Sequence, residues 1–123
     1  MRDGEHERAA ACFERFLEGE PGHTGARYNF GLCLSRLGRY PEALEIFKDL
    51  LEKMPDDPDV HCNVGKLLWR SGRTRQALTY LQKAIELDRR HADAMSMIGI
   101  ILGKNLGRHN EAIRFLQAAL SVQ

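Results

Sequence analysis

Most of what marks an enzyme or a membrane protein is scarce in this 123-residue chain. Cysteine occurs three times, at Cys12, Cys33 and Cys62, with no CxxC spacing. An odd, unspaced set reads as free thiols in a reducing, cytoplasmic compartment, not as a disulfide frame. Charge of one sign is lacking: 18 Lys+Arg stand against 17 Asp+Glu, a net of +1, so no polybasic field points to nucleic acid or to an anionic membrane. The longest apolar runs, Met95 and residues 97–102, fall far short of the roughly 20 residues that cross a bilayer. Residues 1–8 carry no apolar stretch of the signal-peptide kind. Chemistry-bearing patterns are missing too. The histidines His6, His23, His61, His91 and His109 form no i, i+4 pair and no HExxH, and there is no GxxxxGK[ST]. His61 and Cys62 are neighbours, so their side chains diverge on a helix and make no joint metal site. Cys33 lies among residues expected to pack and reads as an inert thiol. The residues give no ground for catalysis, a metal or a cofactor.

Hydrophobic residues at 43% and charged residues at 28% fit a chain that folds. Its organisation is periodic. Gly31, Gly65 and Gly99 recur at one constant interval inside alignable octets, Arg27 to Leu34, His61 to Leu68 and Met95 to Leu102. Ala43, Ala77 and Ala112 follow as second anchors, each with a large apolar residue four places on: Phe47, Leu81 and Leu116. Between anchors lie the turn signals Gly38, Gly72 and Gly107, each followed by arginine. The third unit is one residue longer: Gly99 to Ala112 spans 13 steps, where Gly31 to Ala43 and Gly65 to Ala77 each span 12. That insertion predicts a loosened helix end or a widened turn between Gly103 and Gly107.

The apolar residues recur at helical spacing. Phe30, Leu34 and Leu37 make one stripe, repeated by Val64, Leu68 and by Ile98, Leu102. Leu44, Phe47, Leu50 and Leu51 make a second, repeated by Leu78, Leu81, Ile85 and by Ile113, Leu116, Leu120. These stripes predict helices near 5–18, 24–37, 41–53, 58–71, 74–88, 92–105 and 109–122, and no strand. Asp57 is a candidate N-cap before Pro58, and Pro41 fits a first helical turn. The mid-helix glycines each cost about 1 kcal/mol against alanine. Close helix approach against Ala43, Ala77 and Ala112 is the expected return.

A 34-residue unit with these anchors resembles the tetratricopeptide repeat (TPR), a helix-turn-helix unit. The resemblance spans nearly the whole chain: a half repeat over 1–23, full repeats over 24–57 and 58–91, and a repeat with a one-residue insertion over 92–123. Its signature tryptophan place holds Arg27, His61 and Met95, its tyrosine place Leu34, Leu68 and Leu102, and Arg89 stands for a closing proline. The resemblance implies a single all-α domain, a right-handed α-solenoid of about three and a half repeats with seven helices. It also implies a non-enzymatic module that binds a segment of a partner protein in a concave groove lined by the first helix of each pair. The implied groove set is Tyr28, Asn29, Leu32, Ser35 and Arg36; then Asp59, Cys62, Asn63, Lys66, Trp69 and Arg70; then Asp93, Ser96, Met97, Ile100 and Lys104. Asn29 and Asn63 hold the family's frequent asparagine place, where an amide both donates and accepts toward one peptide group. Arg36, Lys66, Arg70 and Lys104 are expected as a positive stripe beside Tyr28, Leu32, Met97 and Ile100, and Cys62 as an accessible groove residue. Chaperone-binding members clamp a carboxylate with basic and asparagine residues, places held here by Tyr28, Leu32, Asp93 and Met97. The pattern also leaves both end helices open: the first presents Ala9, Cys12, Phe13, Phe16 and Leu17, the last Ile113, Leu116 and Leu120. Two expectations follow: a piece of a longer array, including the regulatory region of a larger enzyme, or a chain whose ends pair with another copy.

Overall fold

The computed structural model describes residues 2–122 and is all-α. Seven helices follow in order: α1 (Arg2–Gly19), α2 (Thr24–Arg36), α3 (Tyr40–Lys53), α4 (Pro58–Arg70), α5 (Thr74–Leu87), α6 (Ala92–Lys104) and α7 (His109–Ser121). All but α1 begin and end within one residue of the sequence expectation; α1 starts three residues earlier. The chain forms two compact units, Met1–Pro55 with α1 to α3 and Asp56–Gln123 with α4 to α7. In the first, α2 packs on both α1 and α3. In the second, α4 packs on α5, α5 on α6, α6 on α7, and α4 also touches α6.

Local chemistry sets the helix ends. Gly38, Gly72 and Gly107 take φ of +80°, +82° and +66°, the left-handed conformation that closes a helix and that only glycine adopts without strain. In the first two turns the arginine after the glycine donates its N–H back to the carbonyl five residues earlier, Arg39 to Leu34 and Arg73 to Leu68, both at 2.9 Å. In the third turn Arg108 donates to Leu102, six residues back, at 2.8 Å. The inserted residue is thus absorbed as a widened turn: α6 closes on Asn105, whose N–H reaches the Ile101 carbonyl at 2.9 Å. At the other ends, the Asp57 carboxylate accepts from the N–H groups of Asp59 and Val60 at 2.9 and 3.3 Å.

The anchor glycines do allow close approach: to the backbone of the anchor alanine at Gly65 and Gly99, and at all three to the large side chain four places after it. A Cβ on Gly65 would stand 2.7 Å from Leu81 Cγ and 3.1 Å from the Ala77 carbonyl oxygen. On Gly99 it would meet Leu116 Cγ at 2.8 Å and the Ala112 carbonyl at 3.1 Å. On Gly31 it would meet the Phe47 ring at 2.8 Å. The large side chain four places after each alanine therefore fills the space over the glycine, and at Gly65 and Gly99 the alanine's own backbone comes near as well. Phe47, Leu81, Val64, Leu68 and Ile101 are fully buried. The second stripe of the last repeat is not: Ile113 and Leu120 on α7 stay 51% and 71% exposed.

Candidate partner-binding face

The first helices of the second and third repeats, α4 and α6, lie side by side in the second unit and carry most of the expected groove set. Three polar contacts join them along their length. At the N-terminal ends, His91 precedes α6 and accepts the Ala94 N–H on Nδ1 at 3.1 Å. The proton of the neutral ring then sits on Nε2, which faces Asp59 Oδ1 of α4 at 2.8 Å. Lys66 Nζ, in the second half of α4, reaches Asp93 Oδ2 in the first turn of α6 at 2.6 Å. At the C-terminal ends, Trp69 Nε1 donates to Asn105 Oδ1 in the widened turn at 2.9 Å. The two helices therefore run parallel, and their shared face is fixed before any ligand arrives.

On that face Ile100 is 39% exposed, Met97, Ser96 and Trp69 are half-buried, and Arg70 and Lys104 are exposed. The Arg70 guanidinium lies 5.7 Å from the centre of the Trp69 ring, within cation–π range. The Asn63 amide donates to the Asp59 carbonyl of its own helix at 2.9 Å. Two expectations need correction. Cys62 is 2% exposed, not accessible. Burial pushes its thiol up to about 12, the nearby Asp93 and Asp59 carboxylates push the same way, and Lys66 only partly opposes them. A thiol held protonated is no nucleophile. And the positive stripe is interrupted at Lys66, whose charge the Asp93 carboxylate meets.

The remaining expected residues belong to α2 in the first unit. Tyr28 is half-buried, its ring edge-on to Phe47 with centroids 5.5 Å apart. Leu32 and Ser35 are half-buried; Asn29 and Arg36 are exposed. Asn29 borders an apolar depression of about 520 Å³ between α1 and α2, lined also by Cys12, Phe13, Phe16 and His23. The His23 ring stands edge-on to Phe16 at 5.2 Å and caps α2 by accepting the Ala26 N–H at 3.0 Å. Burial also pushes the Cys33 thiol up, opposed in part by Arg36.

Sequence reasoning missed the two capping histidines. The signal was present: His23, Asp57 and His91 recur at the same interval as the anchor glycines, so the recognised cap Asp57 marks both. Among the described residues no group of three or more His, Cys, Asp or Glu side chains is placed to hold a metal, and no helix is long and apolar enough to cross a membrane.

Paired antiparallel helices, a glycine-to-large-residue contact in every full repeat and a turn geometry that recurs along the chain define a helical-repeat protein. Tetratricopeptide-repeat models match residues 1–62 and residues 64–122, and the chain belongs to the tetratricopeptide-repeat family. That family is generally one of non-enzymatic protein-interaction modules. Among solved structures the chain is similar to MamA residues 41 to the end from Desulfovibrio magneticus RS-1, with a TM-score of 0.86 and 21% identity over 97% of this chain and 67% of that one. It is similar to a MamA RS-1 double mutant (TM-score 0.85, 21% identity, 97% and 66%) and to MamA from AMB-1 (0.76, 22%, 95% and 68%). The chain spans about two thirds of the length of these neighbours. No curated protein matches it in sequence.

Proposed function

We propose that this chain binds a segment of a partner protein on the face formed by α4 and α6; on α2, Tyr28, Asn29, Leu32 and Arg36 hold the equivalent places of the first repeat. We read residues 1–123 as one TPR domain of a half repeat and three repeats, acting without cofactor. The observation that carries the reading is the α4–α6 face itself. It leaves Ile100 exposed between Met97 and Lys104 on a surface that His91–Asp59, Lys66–Asp93 and Trp69–Asn105 already hold in place. A rigid surface loses little conformational freedom on binding, and aromatic and arginine residues such as Trp69 and Arg70 are favoured at binding hot spots. Three free cysteines fit a reducing, cytoplasmic setting.

The test is a selection of random peptides displayed on phage against the full chain, followed by binding measurements with Asn63→Ala, Trp69→Ala and Ile100→Glu. Each variant is expected to weaken the selected peptides about tenfold or more with the helical circular-dichroism signal intact. Wild-type affinity in all three would reject this face.

A second reading has its own observation. Of the six large hydrophobic side chains exposed among the described residues, Phe16 lies on α1 and Ile113, Leu116 and Leu120 lie on α7. Apolar end helices fit a chain that assembles with copies of itself. Light scattering at rising concentration checks it: Phe16→Glu or Leu120→Glu should dissolve any oligomer, and an unchanged assembly state rejects the reading.

A further inference from the structure

The link from α1 to α2 repeats the link from α5 to α6 bond for bond. Glu20 donates its N–H to the Phe16 carbonyl at 3.1 Å and His23 donates to the Glu20 carbonyl at 3.2 Å. In the second unit Asp88 donates to Ala84 at 2.9 Å and His91 to Asp88 at 3.1 Å. His23 caps α2 through Nδ1 as His91 caps α6. The two helix pairs therefore share one register, two repeats apart. In that register Cys12, Phe13, Phe16, His23 and Gly25, which line the apolar depression of the first unit, hold the places of Tyr80, Leu81, Ala84, His91 and Asp93. In the second unit α4 covers those places. A Cβ on its Gly65 would lie 2.7 Å from Leu81, its His61 ring stands 6.0 Å from the Tyr80 ring, Asp59 meets His91 Nε2 at 2.8 Å and Lys66 reaches Asp93 at 2.6 Å. Leu81 and Ala84 are fully buried there. In the first unit the same place is an open depression of about 520 Å³, with Phe16 45% exposed and the Cys12 thiol exposed.

We propose that the α1–α2 depression is a seat for one amphipathic helix of a partner protein, which completes the half repeat from outside the chain. The seat lies on the first unit and makes no use of the α4–α6 face. The chemistry of its occupant follows from the filled seat. Phe13 holds the place of Leu81, so the occupant needs glycine over that ring, as Gly65 stands over Leu81. His23 spends Nδ1 on its cap, so the proton of its neutral ring sits on Nε2 and donates to a carboxylate in the place of Asp59. Gly25 replaces Asp93, so the seat lacks the carboxylate that Lys66 meets, and an uncharged residue suits that place. Val60 and Val64 of α4 are fully buried and mark apolar places. The occupant is therefore a helix with an acidic residue in its first turn, apolar residues one and five places on, and glycine six places on. A second copy of this chain does not supply it. Only α4 and α6 carry an acidic residue six places before a glycine, and each is already packed in its own repeat, α4 on α5 and α6 on α7.

The test uses the full chain and a fluorescent peptide with the sequence of residues 57–71 carrying Cys62→Ser and Lys66→Ala. Fluorescence anisotropy should show saturable binding, and the bound peptide should slow the reaction of Cys12 with a maleimide several-fold. Phe16→Glu in the chain should raise the dissociation constant at least tenfold with the helical circular-dichroism signal intact. His23→Asp keeps a capping acceptor of the kind Asp57 provides, but sets a carboxylate against the peptide's own. It should weaken the peptide several-fold, and weaken a peptide with Asp59→Asn less. Gly65→Leu in the peptide, which leaves the chain untouched, should abolish binding, while Ile100→Glu in the chain should leave it unchanged. Absence of saturable binding would overturn the inference. So would a Gly65→Leu peptide that binds as well as its parent, or binding lost with Ile100→Glu and indifferent to Phe16→Glu. A chain that forms dimers by light scattering, dissolved by the peptide, would put a second copy in the seat and also overturn it.

Discussion

Replacing Gly65 by alanine sets two effects of known size against each other. Alanine is better than glycine in a helix interior by about 1 kcal/mol. Against that, the new Cβ would lie 2.7 Å from Leu81 Cγ, 3.0 Å from its Cδ2 and 3.1 Å from the Ala77 carbonyl. Leu81 is fully buried and has no open side to turn toward, and the carbonyl belongs to the α5 backbone. Overpacking of this kind costs about 1–3 kcal/mol. We expect packing to win, for a net loss of up to about 2 kcal/mol and a fall of up to about 8 °C in melting temperature. Gly103→Ala is the matched control. Its Cβ would meet Ala112 Cβ at 3.4 Å and His109 Nδ1 at 4.0 Å, both ordinary contacts. The helix-propensity gain then stands unopposed, and stability should rise by up to about 1 kcal/mol. Leu81→Ala alone should cost about 2–5 kcal/mol through the cavity it leaves. In the double variant Gly65→Ala/Leu81→Ala the new methyl occupies part of that cavity, so the loss should be smaller than the sum of the two singles. Urea unfolding followed by circular dichroism measures all four. A Gly65→Ala variant as stable as the parent would refute the close-approach account of the anchor glycines.

Three further outcomes follow from the second unit and the cysteines. His91→Ala removes both the α6 cap and the Asp59 contact and should cost about 1–2 kcal/mol, while His91→Asn, which keeps a capping acceptor, should recover part of it in the same unfolding assay. Because burial raises the Cys62 thiol to about 12 from an ordinary 9.0, the folded chain keeps that proton where the unfolded chain loses it. Its stabilising contribution is therefore full below pH 9 and declines toward pH 12, by at most about 1.4 kcal/mol per pH unit. Cys62→Ala should flatten the stability profile between pH 9 and 11; an equal slope would contradict the assignment. Thiol titration of the folded chain should find Cys12 reactive, since it is exposed, and Cys33 and Cys62 reactive only in denaturant.

The helices and their ends were legible in the sequence because each depends on local, repeating chemistry. Gly38, Gly72 and Gly107 each mark a helix end, and Asp57 next to Pro58 marks a start. The widened turn was legible as well, from one extra step between Gly99 and Ala112. Less legible was anything set by a long side chain reaching a neighbour. Lys66 reads as part of a positive stripe until Asp93, on the first helix of the next repeat, is seen against it. Trp69 reads as a groove residue by family position, with no sign in the sequence that Asn105 accepts its indole N–H. Cys62 reads as a groove residue by family position, but the fold leaves it only 2% exposed. His91 carries no helical-stripe signal at all, since its work is done outside the helix, by one ring nitrogen on the α6 backbone and the other on α4.

The most direct test of the partner-binding face is amide chemical-shift mapping of the full isotope-labelled chain with a peptide from the selection. Shifts should concentrate on residues 59–70 of α4 and 93–105 of α6, strongest around Ile100 and Lys104. Shifts confined to α1 or α7, with α4 and α6 unmoved, would contradict the account.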